Sequence, residues 1–498
     1  MATICAPATS GTQAVLFLLA FALSLVLHLP GEAAFDTIAS WYEGRYLVKF
    51  SQHPAAYAMV WHGAERLGSA PAMVLTFQLA LLWASGFWTA RAFNFPVALS
   101  AALILVLLAF PPVASWSAAL VKDILGGHLA LLGCLLILAP ARRAAVPCAL
   151  AGFACLAAAA LIRFQFAAVL LVVAAWYVPM AKAGITHWRM RLLAVIATTV
   201  LVFSASALAS RSLFTPEGLP GTRPEIVRIS QDPNTGSVAD PLRKIFAYDL
   251  AGIAVRDPGY AAPRLAAEGV DVAALLAEMR ARYSEDRVDS MFEPAKVFAL
   301  LGQVPTGVLA EEWLNAATSH PVAFLLHRQR VFMRVLGFGD PYGCGPMPEP
   351  WHDRWWTGSA AAARLYVPLP EDLGTRDYRT PIFAWVARHP LLPVRPLYRA
   401  YPYLLAATLL TATLLLRSRA SAVPATVLVP ATVLMAAALL YEASFLVLPQ
   451  ACDFRYSYFP VLCSIFVLPI GGWGWFRLRY PVDTAPRASR EEEGTPRL

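Results

Sequence analysis

Charge is the scarcest commodity in this sequence. Only 14% of its 498 residues are Asp, Glu, Lys or Arg, against about 25% in soluble domains. That deficit argues against an ordinary water-soluble fold. Cysteine is sparse as well, and none of the seven (Cys5, Cys134, Cys148, Cys155, Cys344, Cys452, Cys463) has the spacing of a zinc or redox motif. Those inside apolar runs, such as Cys134 and Cys463, read as small hydrophobes. A Cys344–Cys452 disulfide is conceivable. No P-loop, GxGxxG or nucleophile elbow occurs, so nothing points to nucleotide use. No repeat at solenoid periods is present either.

What remains is apolar. Hydrophobic residues make up 58% of the chain and mean hydropathy is +0.55, the composition of a bilayer protein. Runs suited to spanning fall near 13–30, 71–90, 95–112, 123–140, 145–162, 164–181, 192–209, 401–416, 423–447 and 457–475. Residues 13–30 resemble a signal peptide, with small residues at Gly31-Glu32-Ala33-Ala34. No Lys or Arg precedes them, so they read as an uncleaved first span. The fold class expected is an all-α polytopic membrane protein of about ten transmembrane helices.

The net charge of +8 is placed in a way that argues against nucleic acid. With the N-terminus in the cytoplasm, the inner connections carry Arg91; Arg142 and Arg143; Lys182, Arg189 and Arg191; Arg417 and Arg419; Arg477 and Arg479, with no acid among them. The positive-inside rule therefore puts both termini in the cytoplasm, in a cell inner membrane. The chain divides into a transmembrane region 1–209 with a first outer loop 31–70, an extracytoplasmic domain 210–400, a C-terminal transmembrane region 401–480 and a cytoplasmic tail 481–498. The stretch 210–400 is too long for a loop and holds 20 of the 39 prolines. Short helices packed around Trp313, Trp351, Trp355, Trp356 and Trp385 are expected there. The tail after Pro481 is polar.

The informative polar residues gather on the outer side: Asp36 after the first span, His53 before Pro54, Lys122 and Asp123 at the start of the fourth span, Arg163 between spans five and six, and Asp453 and Arg455 before the last. Charges at a membrane edge are costly and usually functional. Lys and Arg at this depth suit a lipid-borne phosphate, and a carboxylate beside them suits a general base. Each also has a plainer reading: Asp36 as a helix cap, His53 as a turn residue, Lys122 as a snorkelling side chain, Asp453 and Arg455 as a local pair. Residues 321–336 read as a basic amphipathic helix on the membrane surface. His327, Arg330 and Arg334 share one face of it. Arg328 lies mid-way along the apolar face, as a snorkelling arginine or a lipid-phosphate contact.

Several short stretches carry a family resemblance. They are Asp36 and Trp41 leading to Ser51-Gln52-His53-Pro54; Phe110-Pro111 through Lys122-Asp123; Arg163; Tyr248-Asp249-Leu250-Ala251-Gly252-Ile253; His320-Pro321 to His327-Arg328; and Asp453-Phe454-Arg455-Tyr456. In order and spacing the chain resembles the polytopic GT-C glycosyltransferases, which include dolichyl-phosphate-mannose-protein mannosyltransferases and lipid A aminoarabinose transferases. The resemblance implies transfer of a sugar from a polyprenyl-phosphate donor to a lipid, glycan or protein acceptor of the envelope on the periplasmic side, with Asp36 as the catalytic acid of the first outer loop. His53, Lys122, Asp123, Arg163, Arg328, Asp453 and Arg455 would bind substrate. The family's paired acids are missing, Glu32 and Glu43 being the nearest others, so a divalent metal is left open as cofactor. Ala55 replaces a second proline. A transporter or flippase of a lipid-linked glycan is the alternative.

Overall fold

The computed structural model describes residues 10–29, 31–32, 35–48, 54–138, 145–181, 241–291, 296–301, 304–339, 395–418, 425–448 and 452–479, with isolated positions between 204 and 222. Among the described residues the secondary structure is helical. The exceptions are isolated bridge positions, among them the parallel bridge between Glu32 and Ala119.

The N-terminal half contains α1 (Ser10–His28), α2 (Phe35–Tyr46), α3 (Ala55–Arg66), α4 (Ala70–Ala92), α5 (Val97–Ala109), α6 (Pro111–Trp116), α7 (Lys122–Leu138), α8 (Ala145–Ile162) and α9 (Phe166–Ala181). Helices α1, α4, α5, α7, α8 and α9 coincide with the first six apolar runs. The run at 192–209 lies almost wholly outside the described residues. The stretch 31–70, expected as the first outer loop, contains α2 and α3, where Trp41 and Trp61 stack at 5.5 Å. Helices α7 and α8 approach through glycine, since a Cβ on Gly133 would stand 2.7 Å from the Gly152 carbonyl oxygen. Without a hydrophobic driving force in lipid, such small-residue contacts are what let helices pack.

A second unit follows, with its own core: α10 (Pro241–Arg256), α11 (Pro263–Ala267), α12 (Val272–Arg282), α13 (Lys296–Leu301), α14 (Thr306–Ser319) and α15 (Pro321–Val335). Tyr248, Ile253, Leu275, Leu309 and Val331 are buried at its centre. Three helices close the chain, α16 (Tyr401–Ser418), α17 (Ala425–Val447) and α18 (Tyr458–Arg479). Pro430 and Pro469 lie within α17 and α18, as transmembrane helices tolerate when neighbours satisfy the freed carbonyls.

Among the described residues four helices are long and apolar enough to cross a bilayer: Gly11–His28, Ala70–Ala92, Ala425–Val447 and Tyr458–Arg477. Val97–Ala109, Val146–Ile162 and Phe166–Tyr177 are shorter apolar helices. The described part of the chain is thus helical, with four helices suited to a membrane. The tail 481–498 and Trp351, Trp355, Trp356 and Trp385 lie outside the described residues.

Candidate functional site

Backbone pairing at the Glu32–Ala119 bridge sets up the site. The Glu32 amide donates to the Ala118 carbonyl at 2.9 Å, and the Leu120 amide donates to the Glu32 carbonyl at 2.9 Å. Gly31 makes the turn into this pairing with φ +104°, and a Cβ there would meet the Leu120 side chain at 2.8 Å. Only glycine fits both demands. The Leu120 carbonyl also accepts from Thr37 Oγ1 and Tyr57 OH, each at 2.6 Å. These bonds hold the first turn of α2, with Asp36 in it, beside the first turn of α7, with Lys122 in it.

The carboxylate of Asp36 sits between two cations from distant parts of the chain. Its Oδ2 lies 3.4 Å from Lys122 Nζ and accepts from Arg455 Nη1 at 2.8 Å. All three side chains keep partial access to solvent, at 20%, 14% and 18%. Arg455 also pairs through Nε with Asp453 Oδ2 at 2.9 Å and donates from Nη2 to Tyr456 OH at 3.0 Å. Asp453 caps the short turn 454–456 by accepting from the Arg455 amide at 3.1 Å. Burial pushes the Asp453 carboxyl above its usual range, against the opposing pull of Arg455.

Arg163 joins the same cluster by a different route. It forms a buried ion pair with Asp123, and its guanidinium lies over the Tyr456 ring at 4.8 Å and the Phe445 ring at 5.8 Å. The Arg455 guanidinium lies 5.0 Å from the same Tyr456 ring centre. Tyr456 therefore brings the two guanidinia within the sum of those distances of each other. That sum is comparable with the Debye length at 0.1 M salt, about 10 Å. Asp36, Lys122, Asp123, Arg163, Asp453 and Arg455, drawn from four stretches of sequence, meet at one place. His53 lies outside the described residues.

Arg328 stands apart from this cluster. It pairs with Asp249 of α10 and donates to the Leu446 carbonyl at 3.2 Å and to the Val447 carbonyl at the end of α17. It is a buried tie between the second unit and α17, favoured by the dipole of that helix terminus, not a snorkelling side chain. His327 is likewise buried, not on a watery face of α15. Its Nε2 bonds Asp249 Oδ1 at 2.9 Å and its Nδ1 bonds Tyr283 OH at 2.8 Å. Trp313 Nε1 donates to Asp249 Oδ2 at 2.7 Å. The cause is packing on two sides: α15 lies against α10 and against α17, so the wheel's polar face meets Asp249 instead of water. Arg330 and Arg334 do remain polar contacts, reaching Glu285 at 3.2 Å and Asp286 at 3.2 Å. Burial holds the His327 imidazole below its ordinary value, although Asp249 pulls the other way.

Two further polar contacts lie near the helix ends that carry the cluster. Glu442 Oε1 accepts from Ser457 Oγ at 2.7 Å, and His128 Nε2 bonds Tyr458 OH at 2.8 Å. Glu442 and Tyr458 gave no signal in the sequence beyond a polar atom in an apolar run. Among the described residues no group of three His, Cys, Asp or Glu side chains converges, and Asp36, Asp123 and Asp453 each face a cation. Cys452, next to Asp453, is disulfide-bonded; Cys344 lies outside the described residues.

Comparison with protein-family models, with curated proteins and with solved structures finds no match.

Proposed function

We propose that this protein is a membrane glycosyltransferase that moves a sugar from a polyprenyl-phosphate donor to an envelope acceptor on the outer side of the membrane. The observation that carries the reading is the Asp36 carboxylate held between Lys122 and Arg455 in a partly open cluster. A donor phosphate competes with Asp36 for those two cations. Seated there, it leaves the carboxylate beside the attacking hydroxyl. The acceptor oxygen bonds the anomeric carbon as the bond from that carbon to phosphate oxygen breaks. The polyprenyl phosphate departs with the electron pair, and the acceptor proton passes to Asp36. Lys122 and Arg455 stabilise the charge on the leaving phosphate.

In this reading about ten helices span the membrane, both termini are cytoplasmic, and 210–400 is outside. The basic inner connections support that orientation. The disulfide at Cys452 supports it independently, because disulfides persist on the oxidising side of a membrane.

A transporter or flippase would place its working charges near the bilayer midplane on broken helices. Here Asp123, His128 and Glu442 all lie within about two turns of the helix ends that carry the cluster, which favours the enzyme. Reconstituted protein given a labelled polyprenyl-phosphate sugar tests the choice. Glycosylated acceptor and free polyprenyl phosphate are expected. Movement of intact donor between leaflets without sugar loss would overturn the enzyme reading.

A further inference from the structure

Helix α15 is tied by Arg328 to the last carbonyls of α17, and this fixes its depth. Helix α17 is long and apolar enough to cross a membrane, so those carbonyls mark its exit from the hydrocarbon. Around them Leu446 is 40% and Val447 is 69% exposed. Beside Arg328 on α15, the neighbouring stripe is apolar and open: Val322, Leu325 and Leu326 are 68%, 63% and 42% exposed. Their i, i+3, i+4 spacing puts them on one face, and Leu325 stands one turn from Arg328. The stripe therefore continues the apolar surface of a membrane helix at the level where that helix leaves the bilayer.

We propose that α15 lies in the outer headgroup region, with Val322, Leu325 and Leu326 set against the acyl-chain boundary. A contiguous apolar face is costly in water and stable at that boundary. The opposite face of α15 is already filled: Val331 and His327 are buried in the second unit, and Arg334 pairs with Asp286, while Arg330, one turn on from Leu326, flanks the stripe and pairs with Glu285. The far end of α15 abuts the candidate site, since Ser457 Oγ, next to Tyr456, donates to the Val335 carbonyl at 3.3 Å. Seating α15 in the interface sets the Asp36–Arg455 cluster at headgroup depth, where the phosphate of a lipid-linked substrate resides. The inference rests on α17 being membrane-spanning, not on the identity of the donor.

The test uses the full chain in vesicles of phosphatidylethanolamine and phosphatidylglycerol containing a phospholipid with a diazirine near the glycerol end of one acyl chain. After photolysis, labelled positions are read by peptide mass spectrometry. Label on Val322, Leu325 and Leu326 together with Leu446 and Val447 is the expected result. Label at 446–447 with none at 322–326 overturns the proposal while leaving the membrane assignment and the glycosyl-transfer reading standing. No label at either place overturns it together with the assignment of α17. A photoreactive amino acid at Leu325 provides the second measurement: a covalent dimer of the chain would show that the stripe faces another copy, and would also overturn the proposal.

Discussion

Replacing Asp36 with Asn is the sharpest perturbation of the proposed chemistry, because it removes a proton acceptor while keeping shape and one hydrogen-bond acceptor for Arg455. Loss of general base catalysis is worth about 10²–10⁴-fold, or about 2.7–5.4 kcal/mol of transition-state stabilisation at 1.36 kcal/mol per tenfold. The cost to folding is small by comparison. The Asp36, Lys122 and Arg455 side chains are 20%, 14% and 18% exposed, so their pairing falls nearer the solvent-exposed class, worth up to about 1 kcal/mol, than the fully buried one. Donor binding should hold or tighten, since the carboxylate that competes with phosphate for both cations is gone. The assay is turnover of a defined polyprenyl-phosphate sugar in proteoliposomes, with the thermal midpoint measured alongside. The expected signature is a fall in kcat with no rise in KM. Wild-type kcat in the Asn variant would remove Asp36 from the mechanism. So would a loss expressed in KM alone. Asp453, raised above its usual range by burial, and Glu43 would then be the acids to test.

Lys122→Gln and Arg455→Gln should act on the opposite parameter, raising KM for the donor or weakening binding of a non-transferable donor analogue. An unchanged donor affinity in both would dissolve the clamp. Arg163→Gln leaves the buried Asp123 carboxylate without its partner, a cost of about 3–5 kcal/mol; the double variant with Asp123→Asn should recover much of the lost thermal midpoint in detergent. Labelling of Leu300→Cys and Ala485→Cys with an impermeant thiol reagent should report opposite sides of the membrane. His327 predicts a pH dependence whose sign follows from its depressed value. Between the folded value and the ordinary 6.5 the unfolded chain binds more protons, so stability is complete above that pH and declines as pH falls below it. Thermal unfolding followed from pH 7.5 downward should show the decline, and His327→Gln should flatten it.

Much of the helical framework was legible because apolar length is a local property. The runs at 13–30, 71–90, 423–447 and 457–475 each coincide with a helix long enough to cross a bilayer. Helices α2 and α3 were not anticipated. They carry mixed sequences such as Phe35–Tyr46, with Asp36, Glu43 and Arg45 among aromatics, and no apolar run announces them. Their stability comes from tertiary contacts, the Trp41–Trp61 stack and the bonds to the Leu120 carbonyl, which no window of sequence contains. Helix α15 shows the converse failure. Its wheel assigns polar and apolar faces on the assumption of one watery side, whereas α15 is flanked by α10 and by the end of α17.

The site was legible to the extent that depth is legible. Topology put Asp36, Lys122, Arg163, Asp453 and Arg455 at one membrane level, and they do meet. Partner choice within the cluster was not legible, because it depends on where side chains end rather than where spans begin. Asp123 is adjacent in sequence to Lys122, yet it turns to Arg163 while Lys122 turns to Asp36. The reason is helical geometry: consecutive residues at the start of α7 project about 100° apart, so one reaches the partly open cluster and the other the buried corner. Tyr456 is what joins the two halves. Its ring receives one guanidinium at 4.8 Å and the other at 5.0 Å, and its hydroxyl accepts from the second. Cation–π contacts of this kind leave no periodic trace. The motif Asp453-Phe454-Arg455-Tyr456 named all the residues required, but a tyrosine beside an arginine in one dimension does not disclose that it also holds Arg163, brought to it from between α8 and α9.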